Sequence, residues 1–259
     1  MKIKNLIIIF LSGCMLSFYS PFSQSQELPS GMKIWFNEPA DNWNEALPVG
    51  NGRLGAMVFG EIEKERIELN EESVWTGEQR WDANPEALKS LPKVRQLLFE
   101  GKYKEAEALA QKSILAYKPQ NPVATYQALG DLYLDFGSLR GVTNYHRELD
   151  IEDAIARVTY SFNQVNFTRE IFSSAPDQAI VVRLTADKPG EITFNSWLSR
   201  QENKSSIKVA NNEIIMSEHV GDGIGVKMYT RMRLITEGGN ISSDGDSIRI
   251  EKANSVTIY

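Results

Sequence analysis

The chain has 259 residues, enough for one large β domain or two small ones. Hydrophobic residues make up 42 % and charged residues 24 %, a balance that supports a packed core and excludes a disordered or fibrous chain. The net charge is −6 with no cluster of Lys and Arg, which argues against a nucleic-acid partner.

Lys2 and Lys4 precede the apolar run "NLIIIFLSGCMLSFY", and the polar "SPFSQSQE" follows it. That is the plan of a secretory signal over residues 1–25 and not of a membrane span. Ser23 and Ser25 are the small residues before a cut that leaves Gln26 first, so the mature domain is expected over 26–259. "LSGC" also resembles a lipoprotein box with Cys14 as the lipidated residue. The apolar stretch before Cys14 is short and continues past it, which favours simple cleavage. By either route the chain is expected in the periplasm or outside the cell. Cys14 is the only cysteine, so an internal disulfide is excluded.

"MKIWF" predicts a short strand, and Pro39 and Asp41 mark a loop. "NEALPV" is too short and Pro-interrupted for a central strand. "RLGAMVFGEI" and "RIELNEESVW" predict a hairpin, with Ile67 and Leu69 on one face and a polar turn at Glu63 to Glu65. A helical insert is predicted near residues 85–118. Pro85 opens "PEALKSL", Pro92 opens "PKVRQLLFEG", Gly101 ends that helix, and "KYKEAEALAQKSIL" forms a third. Strands follow to the end: "DLYLDF", "NYHRELDI", "AIARVTYSF", "VNFTREIFSS", "AIVVRLTAD", "EITFNSWLS", a hairpin about Asn211 and Asn212, "GVKMYTRMRLI", "DSIRIEK" and "SVTIY". Strands at this spacing predict a sandwich or barrel. "SVTIY" alternates cleanly and no turn or polar tail follows it, from which a truncated chain is expected.

Gly50, Gly52 and Gly55 spell G-x-G-x-x-G, with Glu71 about twenty residues on, as in a dinucleotide fingerprint. Such a fingerprint must open a helix, whereas a strand is predicted after Gly55. The glycines therefore read as turn residues. Asn51-Gly52 is a favoured turn dipeptide, and Gly55 and Gly60 permit close backbone approach within a sheet.

Several long stretches then occur in order: "ADNWNEALPVGNGRLGAMVFG", "IELNEESVWTG", "NPEALKSLPKVRQLLFEGKYKEAEALA", "YQALGDLYLDF" and "YHRELDIEDAIARVTYSFNQVNFTREIFSSAPDQAIVVRL". From about Trp35 to Tyr259 the chain resembles the N-terminal domain of glycoside hydrolase family 95. That family contains α-L-fucosidases and some α-L-galactosidases. The resemblance implies a large antiparallel β-sandwich (a super-sandwich), followed in the family by a helical linker and an (α/α)6 barrel. It implies inverting hydrolysis of terminal α-L-fucosyl linkages, with two carboxyl groups set apart to admit water. Those groups belong to the barrel, so no catalytic residue is expected in this chain. The partners implied are a fucosylated glycan and the chain's own C-terminal barrel. A stand-alone carbohydrate-binding sandwich or an inactive fragment is the alternative.

The remaining chemistry is sparse. His146 and His219 are far apart, and no pattern for zinc, a serine hydrolase or an EF-hand occurs, so no metal or cofactor is expected. Asp131 and Asp135 share a strand face and read as solvent-facing carboxylates. "VGDGIG" and "SSDGDS" read as turns. Arg53, Asn70, Glu72 and Trp75 are the candidate site residues, as sugar contacts or as a domain interface. Arg53 alternatively clamps a carboxylate within the fold.

Overall fold

The computed structural model describes residues 31–78, 83–116, 124–201 and 204–259. The expected signal segment and Cys14 lie outside the described residues.

Two antiparallel sheets face each other. The first contains β1 (Lys33–Phe36), β6 (Thr143–Asp150), β7 (Ile155–Phe162), β8 (Val165–Ser174), β9 (Ala179–Ala186), β11 (Ser206–Ala210), β12 (Glu213–His219), β13 (Lys227–Glu237) and β16 (Ser255–Ile258). The second contains β2 (Leu47–Gly50), β3 (Leu54–Val58), β4 (Lys64–Glu71), β5 (Gly130–Asp135), β10 (Ile192–Ser199), β14 (Asn240–Asp244) and β15 (Ser247–Ala253). Their orders are β1-β6-β7-β8-β9-β16-β13-β12-β11 and β14-β15-β10-β5-β4-β3-β2. The sequence dictates this through its period of two. In β10, Ile192, Phe194, Ser196 and Leu198 are buried while the residues between them are half-exposed. The inner rows meet in one apolar core that includes Val58, Ile67, Leu134, Ile171 and Leu234. The fold is therefore the mainly β sandwich read from the sequence.

Four elements differ from the sequence reading. "NEALPV" does supply a strand, β2, at the edge of the seven-stranded sheet. The ladder parity set by the Asn51 N–H bond to Leu54 O turns the nitrogen of Pro48 away from β3, where no donor is needed. The polar turn falls earlier than Glu63 to Glu65: β4 already begins at Lys64, and Glu65 is fully buried. The insert holds two helices and not three, α1 (Ala87–Phe99) and α2 (Tyr103–Ser113). Pro92 lies inside α1, where it removes the bond to the carbonyl of Leu88, an exposed first-turn residue. Finally, "SSDGDS" is a hairpin turn between β14, which the sequence hid, and β15.

No helix follows the glycine pattern. Gly50 pairs with Gly55 across the β2–β3 hairpin. Gly52 has φ +94° with open space around it, so its role is purely conformational. Gly55 makes no close approach, since a Cβ there would sit at ordinary contact distances of 3.7 Å. Gly60 does, but in the loop after β3 and not within a sheet. Its φ is +79°, and a Cβ would stand 2.6 Å from Arg147 Cδ.

That loop caps a polar layer between the sheets. Arg147 of β6 and Arg169 of β8 both pair with Val158 of β7, so they share one inner row. Both are at least 98 % buried. Arg147 donates to the carbonyls of Glu38 (3.2 Å) and Glu45 (2.6 Å). Arg169 donates to the carbonyl of Glu61 and to the carboxylate of Glu65, which also accepts the N–H of Gly60.

Gly52→Val should lower stability by about 1–3 kcal/mol through backbone strain, while Gly55→Ala changes it little; denaturant titration separates them. Burial pushes the Glu65 carboxyl up to about 7 against the pull of Arg169 and the Gly60 N–H. A carboxyl raised in the folded state contributes stability that is full below its unfolded value of 4.5 and is lost as pH rises towards 7. Unfolding free energies measured across that window should show this decline, and Glu65→Gln should remove it.

Candidate functional site

The structure brings the sequence-predicted residues to one end of the sandwich. There β4 ends and the β2–β3 turn approaches the turn between β8 and β9. Asn51 Oδ1 accepts from the N–H groups of Arg53 (3.1 Å) and Leu54 (2.8 Å), which shapes the tight turn. The Asn51 amide also donates to Ser174 O of the other sheet at 3.0 Å. Arg53 reaches the same turn. Its guanidinium donates to Gln178 Oε1 (2.6 Å) and Gln178 O (3.3 Å), and to Glu71 Oε1 (3.2 Å). Arg53 is thus a carboxylate clamp within the fold. Burial would raise the Glu71 carboxyl, but hydrogen bonds from Ser73 and Arg53 hold it below the usual carboxylate range.

Trp75 and Tyr126 form an isolated β-bridge and an edge-on ring contact with centroids 5.3 Å apart. Trp75 Nε1 donates to Glu72 O at 3.1 Å, and Tyr126 donates to Asn70 Oδ1 at 2.5 Å. Glu72 takes part through its backbone. Both rings stay 41–43 % exposed, so they form a ready contact surface. Behind them packs the turn at Val220–Gly223, in which Gly221 and Asp222 have left-handed φ of +64° and +56°. A Cβ on Gly221 would strike Thr76 O, and one on Gly225 would strike Trp75 O. "VGDGIG" is therefore a packing turn for Trp75.

Beside this end lies a groove of about 920 Å³ on the outer face of the seven-stranded sheet. Its lining includes Arg66, Glu68, Asp131, Tyr133, Arg200 and Glu218. Arg66 bonds both Asp131 (2.8 Å) and Glu68 (2.7 Å). Arg200 bonds Glu218 at 2.7 Å with both side chains 9 % exposed. Tyr133 stacks on Trp197 at 5.2 Å with Lys64 above both rings. Tyr133 and Trp197 are not evident as site residues from the sequence. Both sit opposite buried leucines on their strands, and aromatic residues on an otherwise polar face were the available signal. The groove can hydrogen-bond and stack, but its charged pairs are already joined. Asp131 and Asp135 share this face as expected, Asp135 accepting the Gly137 N–H at 2.9 Å.

Residues 34–259 match the family described as glycosyl hydrolase family 65, N-terminal domain. A protein of Arabidopsis thaliana named Alpha-L-fucosidase 2 is 40 % identical over 195 residues, which is 74 % of this chain and 22 % of that protein. A probable alpha-fucosidase A of Aspergillus niger is 28 % identical over 245 residues, 90 % of this chain and 29 % of that one. The chain therefore spans less than a third of the length of these curated relatives. A putative kojibiose phosphorylase from the human microbiome aligns in structure with a TM-score of 0.42 and 10 % identity, over 88 % of this chain and 31 % of that chain.

The Trp75–Tyr126 contact should be measurable. Trp75→Ala and Tyr126→Ala should each lower the melting temperature. Their combined effect should fall short of the sum by about 0.5–1.5 kcal/mol, the worth of an aromatic pair. Additive effects would show that the two rings do not support each other.

Proposed function

Because this chain belongs to the family of glycosyl hydrolase family 65 N-terminal domains, we propose that it is the β-sandwich portion of an exported α-L-fucosidase. In this reading the enzyme resembles glycoside hydrolase family 95 and cleaves terminal α-L-fucosyl linkages with inversion. The acid and the water-activating carboxylate lie in an (α/α)6 barrel that follows the sandwich. The observation that carries the reading is the 40 % identity to a named fucosidase across three quarters of this chain. The site geometry supports the division of labour. The groove carboxylates Glu68, Asp131 and Glu218 are each engaged by an arginine within the fold, which fits a structural part for them. The exposed Trp75 and Tyr126 serve in this reading as the face that meets the barrel.

A second reading, a carbohydrate-binding sandwich, is favoured by Tyr133 of the groove and the Trp197 on which it stacks, since flat aromatic faces pair with apolar sugar faces. The two readings part in one experiment with fucosyl-lactose. The chain extended through the barrel should release fucose, first as the β anomer, while residues 26–259 alone should not. Titratable fucose release by 26–259 would refute the division of labour. Saturable binding of fucosyl-lactose to 26–259, lost in Trp197→Ala, would favour the second reading. In the extended enzyme, Trp75→Ala should reduce melting temperature and kcat/KM together. A fall in kcat/KM with unchanged melting would assign Trp75 to sugar contact. For export, N-terminal sequencing should find Gln26 first. A cytoplasmic protein retaining Met1 would sink that part, and a lipid-modified Cys14 would overturn only the cleavage route.

A further inference from the structure

The polar layer between the sheets does not balance its charge. Arg147 and Arg169 are both buried, and among the described residues Glu65 is the one buried carboxylate that faces them. Glu148 pairs with Lys33 and Arg157 on the outer side of the same sheet. Arg147 is met by the carbonyls of Glu38 and Glu45, which carry no full charge. Two cations thus share one anion away from water.

Arg169 uses Nη1 for Glu61 O and for Glu65. Its Nε and Nη2 are buried and, among the described residues, have no hydrogen-bond partner. These two nitrogens carry the parallel N–H groups of one guanidinium edge, the fork that takes an anion through two bonds. Donors left unpaired in a dry interior are costly.

A cavity of about 10 Å³ adjoins this side chain. It is lined by Arg169, by the apolar bodies of Phe136, Tyr160, Phe167, Leu184 and Ile192, and by two threonines. Such a volume holds about one water-sized sphere, so it admits a monatomic ion and excludes sulfate, phosphate or a sugar. The ring of Phe136 lies 5.1 Å from the guanidinium, and Phe167 stacks on Tyr160 at 5.2 Å, which fixes the walls. A water here would take the two N–H bonds but bring hydrogens of its own to walls that are mostly rings and aliphatic chains. A halide brings none and supplies the missing charge.

We propose that the Nε–Nη2 edge of Arg169 binds one chloride ion in this cavity, and that acidification tightens the binding by removing the competing negative charge of Glu65. The groups that act on Glu65 are Arg169 of β8, the backbone N–H groups of Gly60 and Phe59, and the exposed Glu61. Tyr145 of β6 and Tyr160 of β7 also feel its charge, and burial pushes both phenols above their usual range, so they stay neutral. Glu65 itself titrates near 7. Below that pH its charge is lost while both arginines keep theirs, and the attraction for an anion grows. Neither Glu65 nor Arg169 enters the hydrolase reading.

The test is thermal unfolding of the 259-residue chain at fixed ionic strength, with sodium chloride replacing sodium gluconate. A ligand held only by the folded state raises the melting temperature with its concentration. At about pH 5.5 the melting temperature should climb with chloride, and at about pH 8.5 far less, the fitted dissociation constants differing at least tenfold. Glu65→Gln, neutral at every pH, should respond to chloride equally at both. Glu65→Gln combined with Arg169→Met should lose the response. Equal melting in chloride and gluconate at the lower pH, as a site holding only water would give, overturns the proposal. So does a chloride response that survives in the double variant, because it then comes from the surface. If the double variant does not fold, the width of the chloride NMR line decides with the natural chain alone. The protein should broaden that line at the lower pH and not at the higher, and equal widths at the two would sink the idea.

Discussion

Everything at one end of the sandwich depends on two buried arginines. Arg147 and Arg169 point inward from β6 and β8, where an apolar residue would be the ordinary choice. Removing a guanidinium from water is expensive unless every neighbour is polar and well aimed. The fold meets part of this demand with one carboxylate, Glu65, and with carbonyls of Glu38, Glu45 and Glu61, while Nε and Nη2 of Arg169 are buried without a hydrogen-bond partner among the described residues. Those carbonyls belong to the segments around β1, β2 and the β3–β4 turn. Their paths are therefore fixed by where the guanidinium groups need acceptors. Gly60 is bound by the same constraint, because a side chain there would displace Arg147. Replacing such a layer with apolar residues is often neutral or favourable for stability. Its value here is that it specifies how two loops are seated on the sheets.

The opposite arrangement holds around Tyr259. There the inner rows are apolar and the sheets are less completely filled. A sandwich core normally packs as densely as an organic crystal, so a cavity of about 520 Å³ is large for this setting. It lies where β16 ends between β9 and β13.

How far the sequence could be read follows from this contrast. Period-two alternation exposed most strands, since it reports burial directly and does not depend on partners. β2 and β14 were hidden because Pro48 and the run of Ser and Asp conceal short edge strands, which bury little. Pro92 reads locally as a helix start, although a lost bond to an exposed first-turn carbonyl is tolerable inside α1. Glu65, Arg147 and Arg169 were the hardest to see. A charged residue within an alternating strand looks the same whether it faces water or a buried partner, and the partners are about 100 residues apart. At the candidate site, Arg53, Asn70 and Trp75 were legible as an unusual polar and aromatic cluster. Their partners Gln178 and Tyr126 come from distant turns that no local pattern connects.

The end face that unites these residues is rigid for a stated reason. Arg53 and Asn51 tie the β2–β3 turn to the β8–β9 turn, so one sheet is fastened to the other there. Trp75 is held by its bond to Glu72, by Tyr126, and by a glycine turn in which Gly225 lies directly against its carbonyl and left-handed Gly221 against Thr76. A large apolar side chain that is fixed in place and still exposed is well suited to an interface, because little rotamer entropy remains to be lost on contact. The groove beside it is different in kind. Its charges neutralise one another and its aromatic stack is covered by Lys64, so a ligand there must compete with existing pairs. A partner at the Trp75 face displaces only water. That difference in what must be given up makes the end face, and not the groove, the stronger candidate for an interface.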